Sequence, residues 1–182
     1  MNQHVMLLAF ATCAAFAATN VDSAALLVAF ATTAKPTKVF VAFTAVGACV
    51  VAASLALSFL ASSVDISARL FGFVPLFVGL SQLVKYLRHG AGESLAPVTT
   101  SLAAMIASFL SCSADNLSVF VAMLVRNGPQ NAPWTGGLLG MLYVLAGLAG
   151  ATAANGAMRT TFRLPVLAPS VTAGVGLVML LR

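Results

Sequence analysis

Apolar residues fill this chain in long unbroken runs, interrupted by single charges rather than alternating with polar residues. A hydrocarbon core about 30 Å thick takes about 20 apolar residues as a helix. Reading between charges gives six stretches: Val5–Ala34 (broken only by Asp22), Val39–Ser62, Leu70–Val84, Leu95–Val125 (broken only by Asp115), Ala132–Met158 and Leu164–Leu181. The third is short, so Arg69 and Lys85 at its edges are expected to snorkel. Gly90, Gly92 and Pro97 mark the third loop, and Gly128, Pro129 and Pro133 the fourth. The runs are rich in Ala and Leu and lack the period-2 alternation of an outer-membrane barrel. The pattern predicts an all-α integral membrane protein: one transmembrane domain over residues 1–182 with six transmembrane helices.

Composition strengthens that reading. Hydrophobic residues make up 60% and charged residues only 7%, with a mean hydropathy of +1.02, against roughly 25% charged in an average soluble protein. So few polar groups cannot cover the surface of a soluble domain this small, which excludes a cytosolic globular enzyme and a disordered chain. Ala15-Phe16-Ala17 resembles a small-x-small cleavage site, but no basic segment precedes it and the apolar run resumes after Asp22, so a retained span is expected.

The net charge of +5 comes from basic residues scattered in ones and twos at the edges of the runs, which suits a lipid bilayer and no nucleic acid. With the N-terminus outside, the cytoplasmic loops hold Lys35, Lys38, Lys85, Arg88, Arg159 and Arg163, and the outer side holds Arg69, Arg126 and Arg182. That bias predicts a multi-pass protein of the cell (plasma or inner) membrane with both termini outside. The three cysteines, Cys13, Cys49 and Cys112, all lie inside apolar runs, which argues against a disulfide framework. Cys13 and Cys49 read as small buried hydrophobes.

The chain also repeats itself. An offset of 93 aligns Asp22 with Asp115, Thr19 with Cys112, Asn20 with Ser113, Ser23 with Asn116 and Val28-Ala29 with Val121-Ala122. Towards the end of each half, Pro75 follows Arg69 and Pro169 follows Arg163, both at a spacing of six. Each half has an Asp-bearing span, an uncharged span and a short span with a proline. Three spans is an odd number, so residues 1–89 and 95–182 are expected to form two inverted three-helix repeats. In that plan the substrate site lies at the bilayer midplane between the halves.

The two lone aspartates carry the expected chemistry. A carboxylate near the bilayer centre costs about 2.5–3.5 kcal/mol and must face protein, water or a cation. Antiparallel spans let Asp22 and Asp115 meet across a pseudo-two-fold axis, where they resist joint ionisation until a divalent cation removes the repulsion. The pair suits exchange of a metal ion for protons. Asn20, Asn116, Ser23, Ser113 and Thr19 supply neutral oxygens beside them. Cys112, three residues before Asp115, is expected on the same helix face, and its thiolate tilts preference from hard cations towards Zn²⁺ and softer ions. Asn and Ser beside each Asp also permit a local helix break that frees backbone carbonyls for the site. Gly136, Gly140, Gly147 and Gly150 read as close helix packing in the fifth span; Tyr143, Gln82 and Asn155 read as path-lining residues or interhelical hydrogen-bonders. No phosphate-binding G-x-x-x-x-G-K-[ST] loop is present, and no Ser-His-Asp set can be assembled, since neither histidine lies within a span.

Thr19-Asn20-Val21-Asp22 and Ser113-Ala114-Asp115-Asn116 resemble the paired Asp motifs of the cadmium-resistance transporter family, within the LysE-type exporter superfamily. The segment from Gly72 to Gly79 is similar to the short third span of those proteins. The resemblance implies a six-span exporter of divalent cations, chiefly Cd²⁺, exchanged for protons or driven by the membrane potential. It carries over to Asp22, Asp115, Asn116 and Asn20. The first motif departs from the pattern in reading Asp22-Ser23, where a second acidic or amide residue is expected.

The leading expectation is therefore a secondary-active exporter of Cd²⁺, with Zn²⁺ as a further cargo, that confers cadmium resistance, is no enzyme and needs no cofactor. Three rivals remain open: an exporter of Mn²⁺ or another divalent cation from the same superfamily, a non-transporting scaffold, which would tolerate Asp22→Asn, and a membrane thiol oxidoreductase. The offset of 99 between Cys13 and Cys112 puts that last pair out of repeat register. Homo-oligomerisation stays open.

Overall fold

The computed structural model describes residues 3–63, 73, 76–77, 80, 84 and 101–153. Among them every regular element is helical and none is a strand. In chain order these are α1 (Gln3–Thr19), α2 (Val21–Ala31), α3 (Pro36–Ser63), α4 (Leu102–Ser111), α5 (Ala114–Asn127) and α6 (Ala132–Ala153). The expected sixth span, with Arg163 and Pro169, lies outside the described residues, as do Pro75, Gln82, His89 and Asn155. Of the expected third span only Phe73, Leu76, Phe77, Leu80 and Val84 are described, and these are helical.

The uncharged runs give straight spans. α3 and α6 are each long and apolar enough to cross a membrane. The Asp-bearing runs do not stay straight. α1 and α2 meet at 60°, and α4 and α5 at 55°, each pair across a break short enough for the two helices to form one span. Two spans are therefore clear among the described residues, and four if each bent pair crosses as one.

α3 is the centre of the fold, packing along α6, α5 and α4. The core is strongly aromatic. Phe109 stands edge-on to Phe30 and Phe43 at 5.4 and 5.2 Å, and Phe16 stands edge-on to Tyr143 at 4.9 Å. Edge-to-face contacts of this kind add about 0.5–1.5 kcal/mol each beyond the area they bury.

The distribution of side chains is inverted relative to a soluble protein. Leu7, Phe10, Leu60 and Met141 are exposed on the outside, while Thr12, Thr19, Ser54, Ser58, Asp115, Asn116 and Thr135 are buried. Lipid is the solvent that permits this arrangement, and the chain is a helical membrane protein. Most of the buried hydroxyls satisfy themselves by donating to the carbonyl one turn back, as Thr12 does to Leu8 at 2.8 Å and Ser54 to Val50 at 2.7 Å.

Glycines set two of the close helix contacts. A Cβ on Gly150 would collide with Leu27, and one on Gly136 would press on Leu55 at 2.9 Å. Gly147 lies almost as close to Thr44 and Phe40. Gly140 differs from the expectation: nothing lies within 4 Å of the space its Cβ would fill, because it faces outward between its packed neighbours. Cys13 and Cys49 differ too. Both are exposed on the outer helix surface rather than buried, a position that costs a thiol little where the surroundings are apolar.

Candidate cation site

The two helix breaks are built alike. Asn20 has φ −97° and ψ 15°, and Ser113 has φ −100° and ψ 3°. Both sit in the sparsely used bridge region between helix and strand. Neither side chain caps the helix that follows. Each turns back instead: Asn20 Nδ2 donates to the Phe16 carbonyl at 2.9 Å, and Ser113 Oγ to the Phe109 carbonyl at 2.7 Å. Such a bond competes with the helical ladder, but Thr12 and Ser54 make it inside unbroken helices, so what sets the two breaks apart is the bridge-region backbone at Asn20 and Ser113. Asn20 and Ser113 are repeat mates at the offset of 93, and so are Phe16 and Phe109. That second match was available in the sequence and extends the register one turn upstream of the polar positions.

Each break places an aspartate second in the new helix, Asp22 in α2 and Asp115 in α5. The positive end of the helix dipole favours a carboxylate there. At Asp115 the Asn116 backbone N–H donates to Oδ1 at 2.8 Å.

Beyond the backbone the two halves diverge. Asp115 is 2% exposed, whereas Asp22 is exposed. The two charges still lie within electrostatic range of one another. The described cations, Lys35, Lys38 and Arg126, are all exposed near helix ends, so none neutralises the buried carboxylate.

Polar groups from both breaks and from α6 converge on Asn116, which is fully buried. Its Nδ2 donates to Asn20 Oδ1 at 3.0 Å and to the Tyr143 hydroxyl at 3.1 Å. Its Oδ1 is buried and has no partner among the described residues. An unpaired buried acceptor costs about 1–3 kcal/mol. Thr19, Ser23 and Ser113 are also buried next to the breaks. Thr19 and Ser113 spend their hydroxyl protons on backbone carbonyls, Thr19 on Ala15 at 2.9 Å, which leaves their oxygen lone pairs to accept.

Cys112 stands differently from the sequence expectation. The chain breaks between it and Asp115: Cys112 closes α4, and Asp115 opens α5 after the bend. The spacing rule holds only within one continuous helix, so the three-residue spacing does not by itself put the two on one face. Cys112 is half-buried, and all three cysteines are free. Among the described residues no three of His, Cys, Asp and Glu gather closely enough to hold a metal ion by themselves. A cation here would draw on amide, hydroxyl and backbone oxygens in addition to carboxylate, which is a donor set for hard or borderline ions.

Gly47 escaped the sequence reading altogether. A Cβ there would occupy the space of the Tyr143 ring, so this glycine is what allows the tyrosine to lie flat against α3 and reach Asn116. A lone glycine in an apolar run carries no local sign of such a role.

No family model, curated protein or solved structure matches this chain.

Proposed function

We propose that the chain is a secondary-active exporter of divalent metal cations, built as two inverted three-helix repeats, with Asp115, Asn116, Asp22 and Asn20 forming the translocation site. One observation carries this reading: Asp115, a buried carboxylate with no cation beside it among the described residues, is followed by Asn116, whose buried amide oxygen has no partner among the described residues, at a helix break that recurs 93 residues away around a second aspartate. A site with uncompensated negative charge and free oxygen lone pairs is stable when a cation occupies it and costly when empty. Two carboxylates within range of one another also offer a place for protons on the return step, which fits exchange of metal for protons.

Cd²⁺, with Zn²⁺ as a further cargo, is the leading substrate class, on the resemblance of the two Asp motifs. A second reading, Mn²⁺ or another hard divalent ion, is supported by the buried amide and hydroxyl oxygens at the breaks, Asn20, Asn116, Thr19 and Ser113. Uptake into proteoliposomes with a panel of divalent metals, followed together with a pH-sensitive dye, tests both. The expected result is saturable metal movement with opposite proton movement, lost in Asp115→Asn. Metal-independent dye signals, or transport unchanged in Asp115→Asn, would rule the site out.

A further inference from the structure

Among the described residues, Asn116 alone bonds by its side chain both to Asn20, at the break between α1 and α2, and to Tyr143 on α6. Which way its amide faces is set by chemistry further along the chain of bonds. The Phe16 carbonyl can only accept, so the Asn20 amide must present Nδ2 to it at 2.9 Å. Asn20 then has only Oδ1 to offer Asn116, which fixes the Asn116 Nδ2 on that side. The Tyr143 hydroxyl takes the second N–H at 3.1 Å. With both N–H groups committed, the planar amide cannot rotate, and its carbonyl oxygen is held facing away from both partners, buried and unbonded among the described residues.

We infer that Tyr143 is a positioning residue that holds the Asn116 carbonyl oxygen towards the transported divalent cation. The inference rests on the proposed transport function and adds to it a residue on a different span. Tyr143 is 2% exposed, and its ring is seated on Gly47, where a side chain would displace it. A buried tyrosine hydroxyl needs a partner, and here that partner is the side-chain amide of Asn116, the residue that follows Asp115, the only buried carboxylate among the described residues. Loss of the hydroxyl leaves the amide held by Asn20 alone, so it can swing about that one remaining bond and the carbonyl meets the cation in the right orientation for only part of the time. That weakens binding without changing the charge that drives translocation.

Tyr143→Phe keeps the ring and removes only the oxygen. In proteoliposomes of the full chain, with Mn²⁺ and Cd²⁺ as probes, its KM should rise about three- to tenfold, the worth of one net hydrogen bond, with the maximal rate unchanged. In nanodiscs with ¹⁵N-labelled asparagine, the Asn116 side-chain amide signal should shift in the same variant. Gly47→Ala, which displaces the ring, should raise KM in the same direction. A purely packing role predicts a defect in Gly47→Ala and none in Tyr143→Phe. An unchanged KM and an unchanged amide signal in Tyr143→Phe overturn the inference alone, provided the wild type transports. A wild type that moves neither metal takes down the transport reading and this inference with it.

Discussion

The two broken spans share a backbone and differ in their surroundings. Both bend by similar angles, 60° and 55°, at residues in the same conformation, and both set an aspartate second in the helix that follows. Yet Asp115 is buried and Asp22 is exposed. The break is a local event, marked by the bridge-region backbone at Asn20 and Ser113. Burial is a tertiary one. α5 packs broadly along the central helix α3, whereas α2 touches α3 much less and leans on α6. Two similar stretches of sequence therefore take one local structure twice, and their neighbours give each different surroundings. Under the proposed transport function, the buried carboxylate would hold the ion and the exposed one would receive it.

The hardest test of that division removes each charge in turn. Asp115→Asn should abolish both metal binding and transport, a loss above about 100-fold, because even the removal of an outer-shell partner costs 10–100-fold in metal affinity. Asp22→Asn should abolish transport while leaving measurable equilibrium binding at the Asp115 site. Both variants should remain in the membrane at normal levels, since a neutral amide is cheaper to bury than a carboxylate. Isothermal titration in detergent, alongside vesicle uptake, separates binding from movement. Equal binding loss in the two variants would erase the distinction between the halves.

A second contrast lies in the uncharged spans. Gly47 and Gly140 are repeat mates at the offset of 93. Gly47 is filled against by the Tyr143 ring, and Gly140 faces open space. Gly47→Ala should destabilise the fold by about 1–3 kcal/mol, the usual cost of overpacking. Gly140→Ala should stay within about 0.5 kcal/mol of wild type, as surface substitutions do. Thermal unfolding in detergent reads both. A tolerated Gly47→Ala would mean that the ring can shift and that Tyr143 is not held as described.

How much of this was legible in the sequence follows the same line between local and tertiary causes. The spans at α3 and α6, the breaks beside each Asp and the pairing of Asn20 with Ser113 could all be read from residue types and spacing. Their causes act within a turn or two of helix. The unequal burial of the aspartates could not, because it depends on which helix lies across from each. Cys112 shows a related limit: a three-residue spacing implies a shared face only if the helix is continuous, and the neighbouring Ser113 is where it stops. Gly47 and Tyr143 find each other only in the folded protein, and neither marks the other in the chain.

The thiol gives a smaller test of the donor set. With Cys112 half-buried and separated from Asp115 by the bend, Cys112→Ser should weaken Cd²⁺ and Zn²⁺ transport by less than about tenfold, the lower bound for losing an outer-shell partner, and Mn²⁺ transport less still. Competition between Cd²⁺ and Mn²⁺ in one vesicle preparation measures the ratio directly. An equal effect on all three metals would place the thiol outside the coordination sphere and leave an oxygen-only site.

The smallest expected effect tests the pseudo-two-fold itself. If the halves are related by that axis, each contact across it has a counterpart. Asn20 maps onto Ser113, and Asn116 maps onto Ser23. The Asn20–Asn116 hydrogen bond thus predicts that Ser113 and Ser23, both buried, approach one another on the opposite side of the axis. Hydroxyls make weaker and shorter-reaching bridges than amides, so Ser23→Ala and Ser113→Ala should each cost about 1 kcal/mol or less. What decides the matter is their coupling. Residues in contact show interaction energies of about 0.5 kcal/mol or more in a double-mutant cycle, while separated ones add within about 0.3–0.5 kcal/mol. A non-additive cycle for Ser23 and Ser113, matched by a larger one for Asn20 and Asn116, supports an inverted repeat. Additivity at the serine pair with coupling at the asparagine pair would leave the two breaks as similar structures with no symmetry between them.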